Sequence, residues 1–379
     1  MRPRPARIER LPEQYFVALL GRVSAAAAQA GPPLIDLGRG NPELGPPPHV
    51  IEALRTAAGY PSAHGYSPIR GLPRTKEAIA GRYRDLYGVD VDPATEVALI
   101  PGTKTGLVEL ALSLCDDGDT LVLPDPYYPD YPSGAALAGA RIATIPLRPD
   151  AGWAPDLDAA PDGAALYLNY PSNPCAVCAP DGVFDAAVRW ARRTGSAVVH
   201  DAAYVDVVFD GRPPQSFLAT PGAKDVGVEL WSMSKTYGMA GWRIGFVVGN
   251  AEIVERINLL NDHSRVGIFA PLQAAAVAAL EGPQDSVAER VATYQRRRDL
   301  LAAALPEPPV CEGTFFVWIQ LPQGLSAERL LAEERLAVAP GEGFGPSGAG
   351  WARLSVAVSD EVVEIAAERL QRAFAAVAA

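Results

Sequence analysis

The sequence predicts an α/β fold with a mostly parallel sheet that is covered by helices on both faces. The first observation is a set of short β-rich runs that end abruptly at Pro, Gly, Asp or other polar residues: VALIPG (97–102), TLVLPDP (120–126), ALYLNYP (165–171), AVVHDAAY (197–204), ELWSMSK (229–235) and RIGFVVG (243–249). The second observation is that helical patterns lie between most of these runs. Strands that alternate with helices form βαβ units and hence a largely parallel sheet.

The helical pattern over 182–194 is the clearest, because its large apolar side chains fall on one face. After about residue 250 the alternation stops. There the sequence predicts a helix over 251–260 and one long alanine-rich helix over 272–301. Four elements follow: a strand at WIQLP (318–322), a helix starting at Ser326, a strand at RLSVAV (353–358) and an amphipathic helix over 360–378.

These patterns predict two domains, which fits a chain of 379 residues. We expect residues 46–275 to form the large domain. Residues 1–45 and 276–379 are expected to form a smaller α+β domain. The N-terminal amphipathic helix and the segment LIDLGRGNP (34–42) are expected to pack in this smaller domain.

Composition excludes several classes of protein. Hydrophobic residues make up 49% and charged residues 20%, which is typical of a folded globular chain. A formal net charge of −11 disfavours binding to nucleic acids or anionic membranes, and no run of 18 apolar residues predicts a membrane span. Glu9 and Glu13 interrupt the region where a signal peptide needs an apolar run. Four cysteines are too few for a disulfide scaffold, so we expect a cytoplasmic protein.

The residues that follow the predicted strands carry the chemistry. In open α/β sheets, ligands bind beyond the carboxyl ends of the strands. Those positions hold a glycine turn, phenols, an amide, a carboxylate and a lysine: Gly102-Thr103-Lys104, Asp125-Pro126-Tyr127-Tyr128, Asn173, Asp201 with Tyr204, and Ser232-Met233-Ser234-Lys235. The four histidines are scattered, so no metal site is predicted, and no GxSxG motif indicates a serine hydrolase.

The lysine segment SMSKTYGMAGWRIGFVVG (232–249) closely resembles the cofactor-binding lysine motif of fold type I pyridoxal-phosphate enzymes. The resemblance is to class I/II aminotransferases, and within them to the aspartate-like, prephenate-type and diaminopimelate-type subgroup. It extends in family order over nearly the whole chain, through LIDLGRGNPELGPPPHV, HGYSPIRGLPRTKEAI, IPGTKTGLVEL, LPDPYYPDY, NYPSNP, DAAYVDVVFDG, APLQAAAVAAL, PGEGFG and ARLSVAVS. It implies an aspartate aminotransferase-like fold with pyridoxal 5'-phosphate as cofactor.

The resemblance implies a role for each residue near the cofactor. Lys235 would hold it as a Schiff base and then move a proton, and Asp201 would pair with the pyridinium nitrogen. Tyr204 and Asn173 would donate to its phenolic oxygen. The phosphate would be bound by Gly102, Thr103, Lys104, Ser232 and Arg243. From the residues alone, Asp201 could instead cap a helix, Tyr204 could be a core residue, and Asn173-Pro174 could form a turn.

Further implied roles concern the ring, the substrate and a second subunit. Tyr128 would stack on the pyridine ring, with Tyr127 as the rival. Tyr66 would reach the phosphate of a neighbouring subunit, which implies a homodimer with shared active sites; a surface tyrosine in a turn is the alternative. Arg353 would bind the substrate α-carboxylate with its planar guanidinium, and Gly40 would allow the backbone to approach the substrate. We also expect closure of the site when substrate binds.

Departures from the family pattern concern substrate choice and two cysteines. Arg39 precedes Gly40, where the family often has a small aliphatic residue. Arg39 or Arg265 could recognise an anionic distal group, whereas Glu43 or Asp262 could recognise a cationic one; His263 lies in the same segment as Arg265. All of these could equally be solvated loop charges. After Asn173-Pro174 the family commonly has Thr-Gly, whereas this chain has Cys175-Ala176-Val177-Cys178; small residues filling a tight turn are favoured over zinc or a disulfide.

The resemblance therefore predicts a homodimeric aminotransferase that acts on a free α-amino acid and a 2-oxo acid by a ping-pong mechanism. A β-lyase, β-replacement enzyme or oxidase of the same fold is the alternative. A transcription regulator with an aminotransferase-like domain is disfavoured, because only about 33 residues precede LIDLG and the chain is acidic. A catalytically inactive homologue is disfavoured because Lys235, Asp201 and Arg243 are all present.

Overall fold

The computed structural model describes residues 3–378, which contain α-helices and β-strands in mixed order. The helices are α1 (Ala6–Glu9), α2 (Tyr15–Ala27), α3 (Pro48–Ala58), α4 (Pro73–Tyr87), α5 (Thr103–Leu114), α6 (Tyr131–Ala138), α7 (Val183–Thr194), α8 (Ala223–Val226), α9 (Met233–Thr236), α10 (Ala251–Ser264), α11 (Ala270–Glu281), α12 (Asp285–Ala303), α13 (Ala327–Glu333) and α14 (Asp360–Ala378). The strands are β1 (Ile35–Asp36), β2 (Val97–Ile100), β3 (Thr120–Asp125), β4 (Arg141–Pro146), β5 (Ala165–Asn169), β6 (Ala197–Asp201), β7 (Gly227–Ser232), β8 (Gly245–Gly249), β9 (Phe316–Gln320), β10 (Leu336–Ala337), β11 (Ala339–Pro340) and β12 (Trp351–Ser355).

A seven-stranded sheet forms the centre of the molecule, in the order β2-β8-β7-β6-β5-β3-β4. Only β8 runs antiparallel to its neighbours, so the predicted mostly parallel α/β sheet is confirmed. All six predicted strands are present. The strands β2, β3, β5, β6 and β7 share one direction, and their carboxyl ends therefore meet at the same edge of the sheet.

Strand β4 was not predicted. It lies at the edge of the sheet, pairs only with β3, and exposes most of its residues to solvent. An edge strand lacks the continuous apolar run that identifies a buried central strand. Its sequence, RIATIP, therefore gave little signal.

The predicted long helix over 272–301 is wrong, because two helices occupy this region. Helix α11 ends at Glu281 and α12 begins at Asp285. Gly282 between them is extended, with φ −76° and ψ −176°. Pro283 follows it and has no N–H for a helical hydrogen bond. The break was visible in the sequence as a Gly-Pro pair inside an otherwise helical pattern.

The C-terminal part forms a smaller antiparallel sheet, β11-β12-β9, next to the α12 and α14 helices. Strand β1 pairs in parallel with β10, which brings the N-terminal segment to this part of the molecule as expected. Helix α2 is also held there, since the Tyr15 hydroxyl donates to the Pro340 carbonyl. The division into domains at residues 46 and 275 remains a prediction, and residues 1, 2 and 379 of the predicted small domain lie outside the described residues.

Candidate active site

A cavity of about 380 Å³ opens at the carboxyl edge of the central sheet. It brings together eleven of the predicted site residues: Gly40, Thr103, Lys104, Tyr128, Asn173, Asp201, Tyr204, Ser232, Lys235, Arg243 and Arg353. These residues come from segments that are up to 313 positions apart, between Gly40 and Arg353. The strand-end reasoning predicts this convergence for the residues that follow the sheet strands, and Gly40, Arg243 and Arg353 join them as the family resemblance implies.

Lys235 lies just beyond the end of β7, in the short helix α9. The Ser232 hydroxyl accepts a hydrogen bond from Ser234 N at 3.1 Å, which fixes the turn out of the strand. The Lys235 amine donates to the Gly40 carbonyl at 3.1 Å. Burial, and then the charges of Arg353 and Arg243, lower the pKa of Lys235 to about 7. Near neutral pH a large share of this amine is therefore neutral and nucleophilic.

Asp201 ends β6 and is only 5% exposed. Its carboxylate accepts hydrogen bonds from the Tyr131 hydroxyl at 2.9 Å and from Ala203 N at 3.2 Å. Burial raises its pKa, and no Lys or Arg within residues 3–378 forms an ion pair with it. The helix-cap alternative is wrong, because the chain continues as a turn after Ala202. A buried carboxylate without a cation is costly, so this acid is suited to a cationic ligand in the cavity.

The turn at the start of α5, together with Arg243, presents hydrogen-bond donors for an anion. Gly102, with φ +85°, leads into helix α5, whose first N–H groups at Thr103–Thr105 have no acceptor within the helix. The Arg243 guanidinium lies beside this turn and donates to the Ala240 carbonyl at 2.8 Å. A Cβ atom at Gly102 would collide with that guanidinium. Free N–H groups, a helix N-terminus and an arginine together favour a phosphate.

Tyr128, and not Tyr127, lines the cavity. The Tyr128 ring packs edge-on against Tyr131, with 5.6 Å between the ring centroids. Tyr127 is turned away, and its backbone N–H donates to the Phe344 carbonyl. Tyr204 also lines the cavity, on the side where it contacts the Phe316 ring at 5.7 Å. The geometry thus favours Tyr128 over its neighbour as the ring that meets a ligand.

Arg353 is 1% exposed, yet it has no carboxylate partner among the described residues. Its guanidinium donates to Asn173 Oδ1 at 2.8 Å and to the Gly38 carbonyl at 3.1 Å, and it lies 3.8 Å from the Phe316 ring centroid. Burial lowers its pKa to about 10. The group is positioned by neutral partners and keeps its charge available, as expected for a site that binds a carboxylate.

Gly40 faces this arginine across the cavity. A Cβ atom at Gly40 would lie 2.9 Å from Phe316 Cζ and 3.8 Å from Arg353 Nη2. Real Cβ atoms do not approach so closely, so a larger residue would displace the Phe316 ring from the guanidinium. The glycine therefore preserves the packing around Arg353, in addition to the backbone approach predicted from the sequence.

Several lining or supporting residues were not predicted. Asn169 lines the cavity, donates to the Asp201 carbonyl at 2.8 Å and accepts from Asn173 N. Tyr131 supports Asp201, and the rings of Phe16 and Phe316 form apolar walls. Asn169 ends a predicted strand, so the strand-end rule could have found it. The three aromatic residues lie in apolar segments, where their sequence signal is the same as that of core residues.

The remaining candidates lie away from this cavity. Tyr66 is 92% exposed. Arg39 is exposed and lines a separate hollow of about 130 Å³ that shares Phe16 and Gly40 with the main cavity. Within the described chain, none of residues 261–269 lines this cavity. There Asp262 pairs with Arg70, Arg265 donates to Asn261 and lies 3.7 Å from Glu109, and His263 does not line the cavity. Glu43 pairs with Arg297.

Cys175 and Cys178 are buried free thiols in a compact turn, where Ser172 N donates to the Val177 carbonyl. Burial raises the pKa of both thiols, that of Cys178 to about 12. Within the described chain, no group of three His, Cys, Asp or Glu side chains could hold a metal ion. The turn accommodates both cysteines as small buried side chains.

The sequence matches the family "Aminotransferase class I and II" over residues 32–370. The chain belongs to this family. It is 43% identical over 376 residues to the L-glutamine–4-(methylsulfanyl)-2-oxobutanoate aminotransferase of Bacillus subtilis (strain 168), covering 96% of this chain and 94% of that protein. It is 40% identical to the glutamate-pyruvate aminotransferase AlaC of Escherichia coli (strain K12), over 90% of this chain and 87% of that one.

Solved structures agree with this assignment. The substrate-bound structure of BacF from Bacillus subtilis superposes with a TM-score of 0.92 at 37% identity, covering 99% of this chain and 98% of BacF. The predicted aspartate aminotransferase-like fold is confirmed. The prediction of a pyridoxal-phosphate-dependent aminotransferase is also confirmed, because the family and the relatives named above are aminotransferases of this kind.

The cavity residues fit pyridoxal phosphate. An amine for covalent attachment, a buried acid without a cation and an anion site at a helix N-terminus are all present in one cavity. In this family the cofactor acts as an electron sink for the carbon that carries the amino group.

Proposed function

We propose that this aminotransferase transfers the amino group of a free α-amino acid to a 2-oxo acid by a ping-pong mechanism. Arg353 carries the proposal. It is a buried guanidinium on the same cavity as Lys235, with neutral hydrogen-bond partners and no carboxylate partner within residues 3–378. A free α-carboxylate supplies the missing charge and fits the planar group bidentately.

The cofactor is proposed to bind in the part of the cavity next to the carboxyl edge of the central sheet. Lys235 would hold the cofactor through its amine, and Asp201 would pair with the protonated pyridine nitrogen. The phosphate would be held by Gly102, Thr103, Lys104, Ser232 and Arg243, with Lys104 contributing its backbone N–H. Tyr128 would lie against the ring, while Tyr204 and Asn173 would donate to the phenolic oxygen.

Lys235 also acts as the proton carrier at the substrate Cα. Because burial and two arginines lower its pKa to about 7, a large share of the free Lys235 amine is neutral near pH 7 and can accept a proton. The Gly40 carbonyl accepts a hydrogen bond from this amine and so orients it. Arg353 and Gly40 place the amino acid so that its Cα hydrogen faces Lys235.

A half-reaction tests the function. Cofactor-loaded protein mixed with a single amino acid, with no 2-oxo acid present, should release one equivalent of 2-oxo acid per site and then stop. Adding a 2-oxo acid should restart turnover, with parallel double-reciprocal plots. Continuous release of pyruvate and ammonia from a β-substituted amino acid, without any 2-oxo acid, would support the β-lyase alternative instead.

We further propose a homodimer with shared active sites. Two adjacent segments, 66–70 and 259–269, expose large apolar side chains: Tyr66, Ile69, Leu259, Val266 and Phe269. Arg70 joins them through its ion pair with Asp262 and also pairs with Glu255, which precedes the second segment in α10. An apolar patch of this kind is typical of a subunit interface. Tyr66 belongs to it and would reach the phosphate of the neighbouring subunit.

Complementation tests the shared site. The Tyr66→Ala variant and the Lys235→Ala variant should each have low activity when prepared alone. When the two are mixed and reassociated, activity should recover, because each hybrid dimer has one site with both an intact Lys235 and an intact Tyr66. A monomer by sedimentation, or no recovery in hybrids of demonstrated composition, would contradict the proposal.

Location in the cytoplasm is also proposed. All four cysteines are buried and free, which suits a reducing compartment. None of the helices within residues 3–378 has the length and apolar character needed to cross a membrane. Fractionation of cells that produce the full chain would test the location.

A further inference from the structure

Asp125 is a buried carboxylate that the proposed mechanism does not use. It ends β3 at the carboxyl edge of the central sheet, is only 4% exposed and does not line the active-site cavity. Within residues 3–378 no Lys or Arg forms an ion pair with it, and the hydrogen bonds to its carboxylate come from Ser347 alone. Burial raises its pKa. A buried carboxylate without a cation is costly, so the bonds from Ser347 are what offset the burial of Asp125.

Ser347 lies in residues 341–349, a segment of the C-terminal part that packs against the end of β3. Ser347 N lies 3.2 Å from each carboxylate oxygen of Asp125, and the Ser347 hydroxyl donates to Oδ2 at 3.0 Å. Gly345 makes this approach possible, because a Cβ atom there would collide with Asp125 Oδ1. Its φ of +119° is also one that residues with a side chain disfavour. We call the contact of Asp125 with Gly345 and Ser347 the β3 clamp.

The same segment carries Phe344, whose ring lies against the Arg353 guanidinium. The distance from Arg353 Cζ to the ring centroid is 4.8 Å, and Phe344 is fully buried. The ring packs edge-on against Trp318 in β9, with 5.6 Å between the centroids, and the Phe344 carbonyl accepts a hydrogen bond from Tyr127 N at 2.7 Å. Gly345 follows Phe344 directly, so the β3 clamp ties this ring to the central sheet.

We propose that Asp125 is a positioning residue for the substrate α-carboxylate, acting through Phe344 on Arg353. While the β3 clamp holds Phe344, the ring shields one side of the guanidinium from water and limits its movement. A carboxylate then meets N–H groups that are already oriented and poorly hydrated, which strengthens the charged hydrogen bonds. The inference rests on the proposed function, because it takes Arg353 as the group that binds the α-carboxylate.

Removal of the β3 clamp should weaken substrate binding without slowing the chemistry. Asp125→Ala should raise the KM of both the amino acid and the 2-oxo acid roughly threefold to tenfold, since both carry the same carboxylate. The kcat should stay at the native value, because Arg353 holds the carboxylate equally in the ground state and the transition state. A native KM, or a fall in kcat with KM unchanged, would overturn the proposal.

Variants of the 341–349 segment test the β3 clamp without altering β3. Ser347→Ala removes one hydrogen bond to Asp125 and should raise both KM values about twofold to threefold, whereas Ser347→Thr keeps the hydroxyl and should match the native enzyme. Glu342→Gln is the matched control, because Glu342 is exposed and accepts from Gly350 N; it should leave KM unchanged. These variants decide the matter even where Asp125→Ala does not fold: a native KM in Ser347→Ala, or equal effects in Ser347→Ala and Glu342→Gln, would contradict the proposal.

Propionate, a carboxylate without an amino group, measures the Arg353 site independently of turnover. Its Kd, titrated through the absorbance of the cofactor-loaded protein, should rise in Asp125→Ala by the same factor as KM, while retention of pyridoxal phosphate stays native. A matching loss of cofactor would show damage to the whole site and overturn the positioning role. On an Arg353→Met background, Asp125→Ala should reduce kcat/KM no further, and additive reductions would show that Asp125 does not act through Arg353.

The same titration separates this inference from the proposed function. Unchanged propionate binding in Arg353→Met would contradict the role given to Arg353, and with it the proposed function. Weakened binding in Arg353→Met together with native binding in Asp125→Ala would contradict this inference alone.

Discussion

Two buried arginines, Arg82 and Arg353, are surrounded in opposite ways. Arg82 donates to Asp206 at 2.8 Å and to the Tyr237 hydroxyl at 2.9 Å. Asp206 also accepts from the Thr236 hydroxyl, so the charge of Arg82 has a fixed carboxylate partner. Arg353 has only an amide oxygen, a carbonyl oxygen and aromatic rings around it.

The pKa directions of the two groups follow this difference. Burial disfavours the charge of both, but at Arg82 the attraction of Asp206 outweighs it and the pKa is raised. At Arg353 no carboxylate opposes the effect of burial, and the pKa falls to about 10. A buried charge that has its counterion in the chain belongs to the folded structure, whereas one that lacks a counterion is available to a ligand. Asp201 is the acidic counterpart of Arg353 in this respect.

The largest expected effect is on stability at the paired site. Arg82→Met leaves Asp206 buried without its cation and should lower the free energy of unfolding by about 3–5 kcal/mol. Urea unfolding of the cofactor-free protein measures this. The double variant Arg82→Met/Asp206→Leu should recover part of the loss, since no unpaired charge remains; no recovery would indicate that packing rather than charge is responsible.

Arg353→Met should have the opposite profile. It removes a buried cation without leaving a partner carboxylate unpaired, so the free energy of unfolding should not fall. Substrate binding should weaken. The kcat/KM for amino acids should fall roughly 30- to 1000-fold, which corresponds to about 2–4 kcal/mol of lost binding free energy. A clear loss of stability together with near-normal kcat/KM would reverse the roles given to the two arginines.

The pH dependence of cofactor attachment sharpens the comparison further. The pKa of Lys235 is lowered to about 7, and only the neutral amine attacks a carbonyl. Attachment of pyridoxal phosphate to the cofactor-free protein should therefore slow about tenfold per pH unit below 7 and level off above about 8. In Arg353→Met this profile should move to higher pH, because a positive charge near the amine is lost. A profile that still rises at pH 9–10 in the native protein would contradict the lowered pKa.

The smallest expected effect is on cofactor binding, when a hydrogen bond to Asp201 is removed. Tyr131→Phe removes one of two hydrogen bonds to Asp201 and should weaken cofactor retention by about 1 kcal/mol, or roughly fivefold in Kd. Tyr167→Phe is the matched control, since the Tyr167 hydroxyl donates to the Leu107 carbonyl and not to Asp201. Equal losses in the two variants would show that the effect is not specific to the acid.

The sequence predicts the polar part of the cavity well because strand ends are local features. A β-rich run that stops at Asp identifies Asp201, and Asn173 follows the neighbouring run by a few residues; the parallel direction of the two strands brings them together. The same reasoning fails where the signal depends on packing across the chain. Phe16 and Phe316 have the pattern of core residues, and nothing in the sequence shows that their rings enclose Arg353.

The errors in the fold have similarly specific causes. The alanine-rich composition of 272–301 indicated a continuous helix, although Gly282 and Pro283 interrupt it. From the sequence, Asp262 and Arg265 could either recognise a substrate or be solvated loop charges. In the structure those charges are taken up by Arg70 and Glu109, partners that lie far away in sequence. Periodicity locates elements, but it does not identify long-range ion partners.

The most direct test concerns the covalent attachment of the cofactor. The chain contains four lysines: Lys76, Lys104, Lys224 and Lys235. Borohydride reduction of the cofactor-loaded protein, followed by proteolysis and mass spectrometry, should place a single phosphopyridoxyl group on Lys235, and Lys235→Ala should carry none. A label on another of the four lysines, or no label on native protein that binds the cofactor, would contradict the account.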